Sequence, residues 1–302
     1  MSFEQRLQEA AQLIGQRLER LCTDLETQGV PQRLSKAMRH GLLAGGKRFR
    51  PFLVIESAAL FNVPVRCALE TATAIECIHC YSLIHDDLPA MDNDKLRRGK
   101  STVWSAYDEW TAILVGDALQ AHAFEILVSK TTHDDPQIRN HLVAGLARAS
   151  GGIGMVGGQA LDLEAGKRNS PARPTPSYIK TMQSMKTGAL IRFSCQAGAI
   201  LAGKNASRDD CESLTTFGDH LGYAFQISDD LLDARGDDQT MGKAAHKDSQ
   251  AGKATLVTTL GITKSRASLK VVHAQAQAAL GRFGKKADTL RQAVDFVVNR
   301  KS

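Results

Sequence analysis

Residues 84–94 read Ile84-His85-Asp86-Asp87-Leu88-Pro89-Ala90-Met91-Asp92-Asn93-Asp94, and we call them the first aspartate segment. Their four aspartates lie within nine residues, directly after the apolar run 75–84. Carboxylates repel one another and resist burial, so such a cluster needs a cation when it ends a buried helix. A second aspartate segment, 225–233, ends Asp229-Asp230-Leu231-Leu232-Asp233 in the same way. Because the ligands offered are all oxygens, both segments favour the hard cation Mg²⁺.

The composition indicates a globular protein that acts on small anionic molecules. Of 302 residues, 43% are hydrophobic and 23% are charged. The net charge of +6 is spread along the chain without a basic run, which favours an anionic small-molecule partner and no nucleic acid. Cys77 and Cys80 lie in an apolar helical pattern, so we predict buried thiols and a cytoplasmic location. Glu4 and Glu9 argue against a signal peptide, and no apolar run approaches the roughly 18 residues of a membrane span.

Helical spacing of apolar residues runs through the chain. It predicts a first helix that ends near Gly29 and Pro31, and a third that opens at 47–51. No stretch alternates like a full strand, so the predicted class is all-α, with a single domain over 1–302. Further helices are predicted over 33–43, 53–60, 68–84, 111–130, 136–149, 178–201, 209–232 and 264–298, and loops over 166–177 and 236–252.

Two glycine motifs and one histidine pair suggest other functions. Residues 41–47 nearly match a P-loop, but Arg48 follows where Ser or Thr is needed, and a predicted helix precedes the motif. Residues 152–157 match G-x-G-x-x-G, again after a helix, which favours close helix packing or a kink. His85-Asp86 could belong to a metal-dependent phosphohydrolase, although the other histidines are scattered. This alternative stays open, as does a non-catalytic partner subunit, which would be expected to lack aspartates in one segment.

Helical geometry predicts which carboxylates can act together. Asp229 and Asp233, four residues apart, share a helix face. In a regular helix Asp92 would lie roughly 240° from Asp86, on the wrong side. Pro89 removes a backbone donor and distorts a helix, so we predict a bulge that returns Asp92 towards Asp86.

Basic residues accompany both segments. Lys47 and Arg50 lie at a predicted helix start, whose free amides also favour anions. His79 is two helical turns before Asp86, which makes a role beside the metal as plausible as one in the core. Carboxylates for Mg²⁺ and cations for phosphate together predict a diphosphate site. Further cations lie at Arg97, Arg98, Lys186, Lys243 and Lys253.

The chain resembles the trans-isoprenyl diphosphate synthases, most closely the bacterial farnesyl or geranyl diphosphate synthases. The resemblance implies an isoprenoid-synthase-type helical bundle around a deep central cavity, usually as a homodimer. It implies condensation of isopentenyl diphosphate with dimethylallyl or geranyl diphosphate to farnesyl diphosphate, with release of diphosphate. The matching segments are 45–51, 82–92, 97–99, 111–117, 158–162, 186–188 and 225–233, in family order.

The resemblance also implies residue roles. Three Mg²⁺ ions per active site would be held by Asp86, Asp87, Asp92, Asp229, Asp230 and Asp233. The allylic diphosphate would meet Arg97, Lys186, Thr187, Gln226 and Lys243, and the isopentenyl diphosphate Gly46, Lys47, Arg50, His79 and Arg98, with Lys253 as a further substrate contact. The catalytic set would be Asp86, Asp92, Arg97, Lys186, Asp229 and Lys243. Tyr81 and Ser82 would limit chain length. Ser101, Trp104 and His246 depart from the residues usual in the family.

Overall fold

The computed structural model describes residues 2–240 and 255–300, with side chains outside 235–240. Helices dominate this part of the chain, and its only strands form one two-residue hairpin, which confirms the all-α prediction. The chain divides into two compact units, Met1–Ala144 with Ile200–Gly203 and Gly145–Ala199 with Lys204–Ser302. The single domain and the central cavity stay predictions.

The first unit is organised around α4, which packs against α1, α3 and α6. Most of α4 is buried, including Ile75 and Ile78, so its position fixes where the aspartates at its C-terminal end lie. The elements are α1 Phe3–Thr27, α2 Gln32–Leu42, α3 Phe49–Ala59, α4 Val65–Asp86, β1 Leu96–Arg97, β2 Lys100–Ser101, α5 Val103–Ala106 and α6 Glu109–Val128, and α7 Pro136–Ser150 begins here.

The second unit is organised around α11, which packs against a π-helical segment, α13 and α14. Glycines permit this packing: a Cβ on Gly222 would lie 2.9 Å from the Cα of Gly188, and one on Gly158 only 2.1 Å from the amide nitrogen of Lys186. The elements are α8 Met155–Arg168, α9 Pro176–Gln183, the π segment Ser184–Gly188, α10 Ala189–Ala202, a 3₁₀ turn Gly203–Asn205, α11 Arg208–Thr240, α12 Leu256–Leu260, α13 Ile262–Ala279, a 3₁₀ segment Gly281–Ala287 and α14 Asp288–Asn299.

Local sequence explains several helix starts. Ser2 and Gln5 form a capping box, in which the Ser2 oxygen accepts from the Gln5 amide at 3.3 Å and the Gln5 side chain accepts from the Ser2 amide at 2.8 Å. Asp108 caps α6 by accepting from the amide of Thr111 at 2.8 Å. These side chains satisfy amides that have no partner inside the helix.

The predicted elements are wrong in three places. The helix Met155–Arg168 is missing from the prediction because its glycines, poor helix formers, hide the helical pattern. The region 264–298 is interrupted by a 3₁₀ segment, where Gly284 adopts φ 54°. The predicted loop 236–252 starts too early, since α11 continues to Thr240, and its remainder, 241–252, lies outside the described residues. The predicted loop 166–177 matches the gap between α8 and α9 closely.

The two glycine motifs have local structural roles. Residues 41–47 follow a helix and not a strand, which agrees with the exclusion of a P-loop. A Cβ on Gly154 would lie 2.2 Å from the carbonyl oxygen of Ala149, and one on Gly157 would lie 1.9 Å from that of Gly152. These oxygens belong to the end of α7 and to the turn after it, so the glycines let the chain turn sharply from α7 into α8, in agreement with the kink that was one of the two predicted roles.

The helix α6 is the one described helix that is long and apolar enough to cross a membrane. This is weak evidence for a span, because core helices have the same properties and 44% of its most apolar stretch is buried. Its buried side packs against α4 and α2. Its other side exposes Trp110, Ile113 and Leu114.

Candidate active site

The first aspartate segment begins where α4 ends. The amide of Asp92 donates to the carbonyl oxygen of Asp86 at 2.8 Å, and the amide of Asp94 donates to that of Asp87 at 3.0 Å. The predicted return of Asp92 is confirmed, but its predicted cause, a bulge within a helix, is wrong. The helix stops at Asp86 because Pro89 disfavours helical backbone in the residue before it, and the chain turns back as a loop.

Asp87 faces inward and anchors the hairpin. Its Oδ1 accepts from Arg97 Nε at 2.9 Å and from Nη2 at 2.6 Å, and only 4% of its side chain is exposed. Burial raises the pKa of Asp87, although Arg97 opposes the rise. Asp86 and Asp94 are half-buried and Asp92 is exposed, so Asp86 and Asp92 are the accessible ones among the three predicted metal ligands of the segment.

Two side chains fix the far end of the first segment. The carbonyl oxygen of Asp94 accepts from Thr102 Oγ1 at 2.8 Å and from the indole Nε1 of Trp104 at 2.7 Å. Trp104 therefore holds the loop backbone, a role that the sequence, where Trp104 is only a departure from the usual family residue, does not predict. The family resemblance itself contained no signal for this contact.

The glycine-rich turn before α3 meets Arg98. Arg98 Nη1 donates to the carbonyl oxygen of Gly45, and a Cβ on Gly46 would lie 2.2 Å from that nitrogen. Only glycine fits there, also because Gly46 has φ 126°. Lys47 follows and is exposed. Three predicted isopentenyl diphosphate residues, Gly46, Lys47 and Arg98, thus belong to one local assembly.

Arg50 and His79 form a second contact of the first unit. Arg50 Nη1 lies 3.4 Å from His79 Nε2. Burial, then Arg50 and Arg98, hold the pKa of His79 well below its ordinary value of 6.5, so the neutral imidazole can accept this hydrogen bond. A cavity is lined by His79 together with Asp87, Arg97 and Arg98. Three of the predicted phosphate-binding residues of this unit, His79, Arg97 and Arg98, therefore line one cavity.

Tyr81 lies one helical turn before the first aspartates. It is 5% exposed, and its ring packs edge-on against that of His85 with 5.7 Å between centroids. Burial and then Asp86 raise the pKa of Tyr81 to about 12, so it stays a neutral phenol. Ser82 Oγ donates to the carbonyl oxygen of His79 at 2.9 Å. The chain-length roles of Tyr81 and Ser82 stay predictions.

His85 serves the packing of α4 on α6. Its Nε2 lies 3.1 Å from the carbonyl oxygen of Ile113. A Cβ on Gly116 would lie 2.0 Å from the same Nε2, so a glycine there leaves room for the imidazole. Within residues 2–240 and 255–300, no three His, Cys, Asp or Glu side chains converge to hold a metal. A phosphohydrolase site, which needs several histidine ligands, thus finds no further ones among these residues.

A Mg²⁺ site does not require three protein ligands in one cluster, because Mg²⁺ is commonly held by one or two carboxylates together with substrate phosphates.

The second aspartate segment lies within α11. Asp229, whose side chain is 41% exposed, accepts from Arg300 Nη2 at 2.6 Å. Arg300 also donates to the carbonyl oxygen of Phe225 at 2.8 Å and stacks on that ring, 4.1 Å from its centroid. Sequence reasoning missed Arg300, because 71 residues separate it from Asp229.

Asp230 is the buried member of the second segment. It accepts from Gln183 Nε2 at 3.2 Å and from the amide of Leu256 at 2.9 Å. Burial raises the pKa of Asp230, which these two donors partly oppose. Asp229 and Asp233 remain the accessible carboxylates.

The π segment carries the remaining described candidates. Lys186 Nζ donates to Asp162 Oδ2 at 2.6 Å, and sequence reasoning missed this partner. The motif 158–162 contained the signal, because Gly158 lets α8 approach the π segment and Asp162 follows one turn later. Thr187 and Gln226 are half-buried. The short π segment is of a kind often found at functional sites. Lys243, His246 and Lys253 lie outside the described residues.

Comparisons with known proteins agree with the fold. The farnesyl diphosphate synthase of Escherichia coli K12 is 39% identical over 307 residues, covering 99% of each chain. The geranylgeranyl diphosphate synthase of Cyanophora paradoxa is 39% identical over 272 residues, covering 90% of this chain and 89% of the relative. The crystal structure of an FPP/GFPP synthase from Zymomonas mobilis superposes with a TM-score of 0.85 at 45% identity, covering 97% of this chain and 99% of that chain.

The fold and the acidic and basic residues define an all-α protein equipped for diphosphate chemistry. The polyprenyl synthetase family model matches residues 31–297. The chain belongs to the polyprenyl synthetase family.

Proposed function

We propose that this protein is a Mg²⁺-dependent prenyltransferase that makes farnesyl diphosphate. It joins isopentenyl diphosphate head to tail to dimethylallyl diphosphate and then to geranyl diphosphate, releasing diphosphate each time, as a step of isoprenoid biosynthesis. The observation that carries the proposal is the first aspartate segment, where accessible Asp86 and Asp92 lie on a turn held by Arg97. Several relatives named farnesyl diphosphate synthase, similar over nearly their full length, support this product.

The donor set fits Mg²⁺. Asp86, Asp92, Asp229 and Asp233 offer accessible carboxylates, and we propose about three Mg²⁺ ions per active site. Bound Mg²⁺ would neutralise the charge that develops on the departing diphosphate. Asp87 and Asp230, also predicted as ligands, are engaged with protein donors in this structure.

The cationic residues bind and orient the two substrates. We propose that Arg97, Lys186, Thr187, Gln226 and Lys243 hold the allylic diphosphate as its C–O bond breaks. Fixed positive charge at the developing diphosphate anion is the largest expected contribution to catalysis. Lys47, Arg50, His79 and Arg98, beside Gly46, would hold isopentenyl diphosphate, with Lys253 as a further substrate contact.

The carbon chemistry then follows from these positions. The double bond of isopentenyl diphosphate attacks the allylic cation, and a proton leaves to restore an allylic product. The departing diphosphate is the proposed proton acceptor. Apolar side chains keep water from quenching the cation, and the buried Tyr81 supplies the proposed limit on chain length.

We further propose a cytoplasmic homodimer. All six cysteines are free thiols, which suits a reducing compartment. The exposed apolar side of α6, with Trp110, Ile113 and Leu114, is the proposed contact with a second copy. Trp110→Lys should then shift the sedimentation of the protein from dimer to monomer. A wild type that sediments as a monomer would refute the dimer, and a variant that sediments as the dimeric wild type does would refute this contact.

The decisive assay combines the purified protein with Mg²⁺, isopentenyl diphosphate and dimethylallyl diphosphate, followed by chromatography of the dephosphorylated products. Farnesol should dominate, and chelation of Mg²⁺ should abolish its formation. Absence of isopentenyl diphosphate consumption would refute the proposed function. Release of phosphate from nucleotides without isopentenyl diphosphate would instead support the phosphohydrolase alternative.

A further inference from the structure

Arg48 lies in the sequence between Lys47 and Arg50, two candidates for phosphate binding, and its side chain points inward. It precedes α3 as its N-cap residue, with left-handed backbone at φ 48° and ψ 42°. Arg48 is 8% exposed, whereas its neighbour Lys47 is exposed. A left-handed residue without glycine's freedom is disfavoured, so the surrounding contacts must hold it in place.

The Arg48 guanidinium joins three helices. It forms an ion pair with Glu76 of α4, and the exposed fractions of the two side chains are only 6% and 3%. Its Nη2 donates to the carbonyl oxygen of Leu42, the last residue of α2, at 2.6 Å. Carbonyls at a helix end have no partner within the helix, so this contact caps α2. Its Nη1 also lies 3.7 Å from Cys80 Sγ.

These contacts enclose the turn that carries Gly46 and Lys47. Arg48 fixes the turn's exit, and Arg98 holds its middle through the carbonyl oxygen of Gly45. Glu76 lies three residues before His79 on α4, and His79 contacts Arg50. One buried ion pair therefore connects both groups of predicted isopentenyl diphosphate residues.

We propose that Arg48 and Glu76 are positioning residues for the diphosphate of isopentenyl diphosphate. Their side chains are buried and act through Lys47 and Arg50, whose directions depend on the backbone that Arg48 holds. The inference rests on the proposed function. A positioning role predicts a selective effect on one substrate, whereas a purely structural pair would affect stability alone.

The chain offers a matched control on the same helix. Arg17 of α1 binds Glu70 of α4 through two hydrogen bonds of 2.7 and 2.8 Å, and both side chains are mostly buried. This pair joins α1 to α4, and Glu70 lies nine residues before His79, about two and a half helical turns away on α4. Replacing a buried ion pair by apolar residues of similar size often leaves a protein folded.

The experiment compares the double variant Arg48→Met/Glu76→Leu with Arg17→Met/Glu70→Leu. For each, KM is measured for isopentenyl diphosphate and for geranyl diphosphate, with kcat and Tm. The first double variant should raise KM for isopentenyl diphosphate about tenfold or more, because small misplacements of binding groups have large effects. Its KM for geranyl diphosphate should stay within about twofold, and the control should change neither KM. Arg48→Lys keeps the charge but loses the forked geometry, so it should raise the same KM by a few fold.

Lys47→Ala sharpens the test. In the wild type it should raise KM for isopentenyl diphosphate roughly ten- to a hundredfold, as expected for a lost charge-assisted contact. In the Arg48→Met/Glu76→Leu background it should add little, because Lys47 is already misplaced. Three results would overturn the inference. The first is an equal rise of KM for both substrates in the Arg48→Met/Glu76→Leu variant, and the second is an unchanged KM in both that variant and Arg48→Lys. The third is the same rise of KM in the Arg17→Met/Glu70→Leu control. A wild type that consumes no isopentenyl diphosphate would refute the proposed function, and this inference with it.

Discussion

The two aspartate segments present similar residues on different backbones. After Asp86 the helix ends and the chain turns back, whereas after Asp233 the helix α11 continues to Thr240. Each segment buries the second aspartate of its pair, Asp87 or Asp230, and burial raises the pKa of both. The shared feature is therefore a division of roles, with one buried anchor and accessible carboxylates beside it.

An arginine binds each segment, but at a different aspartate. Arg97 binds the buried Asp87 through two hydrogen bonds to Oδ1. Arg300 binds Asp229, which is itself an accessible, predicted metal ligand. If Asp229 holds Mg²⁺ as proposed, the metal has to displace the Arg300 guanidinium from this carboxylate.

The largest expected effect tests the accessible carboxylates of both segments. Asp86→Ala and Asp229→Ala should each lower the turnover of isopentenyl diphosphate by at least about 10²–10³-fold, because each removes a metal ligand that stabilises developing charge. Circular dichroism should show an intact fold. Near-normal turnover of only one variant would show that the two segments are not equivalent in catalysis.

Tyr81 and Phe225, the aromatic residues that precede the aspartates of the two segments, should differ in their effect on the length of the product. Tyr81 precedes Asp86 by five residues and is 5% exposed, and Phe225 precedes Asp229 by four and lies under Arg300. Tyr81→Ala should yield products of twenty carbons or more, since a bulky ring no longer fills the space, while Phe225→Ala should still stop at fifteen. Chromatography of the products measures both, and fifteen carbons from Tyr81→Ala would make that ring mere packing.

Replacing Arg97 or Arg300 should have different effects, because Arg97 pairs with the buried Asp87 and Arg300 with the accessible Asp229. Arg97→Gln leaves Asp87 buried without its cation, so the free energy of unfolding should fall by about 1–3 kcal/mol in urea titrations. Arg300→Gln removes the ion pair with Asp229, so half-maximal activity should need about two- to fivefold less Mg²⁺, as expected for an ion pair of modest strength. A higher Mg²⁺ requirement in Arg300→Gln would show that Arg300 helps to bind the metal or its substrate.

The smallest effect is a pH dependence of stability. Because the folded pKa of His79 lies below its ordinary 6.5, the unfolded chain binds more protons there, and stability is lost as pH falls through 6.5. His79→Gln should lose less stability than the wild type over that range. His220 of the second unit has a pKa lowered by burial but raised in part by Asp219, so His220→Gln should show a weaker difference. Urea titrations at several pH values measure this, and an equal loss of unfolding free energy in His79→Gln and the wild type as pH falls through 6.5 would contradict it.

Local patterns predicted the helices well and the site in part. Apolar spacing and Pro89 sufficed to place Asp92 near Asp86, since both depend on neighbouring residues. The helix α8 was missed because glycine spacing that serves helix contacts looks locally like a loop.

Partners distant in sequence could not be predicted. Arg300 for Asp229, Glu76 for Arg48 and Trp104 for the Asp94 carbonyl are contacts set by packing. Spacing rules reach only a few turns along one helix. The sequence therefore indicated which residue types form the site, while their internal partners required the structure.

The most direct test of metal binding by both segments is a Mn²⁺ titration followed by electron paramagnetic resonance, with and without inorganic diphosphate. The wild type should bind more Mn²⁺ when diphosphate is present, because Mg²⁺-like ions are held by few carboxylates together with phosphate oxygens. Asp86→Ala and Asp229→Ala should each bind fewer ions than the wild type. Wild-type stoichiometry in either variant, or no effect of diphosphate, would contradict the assignment of metal to both aspartate segments.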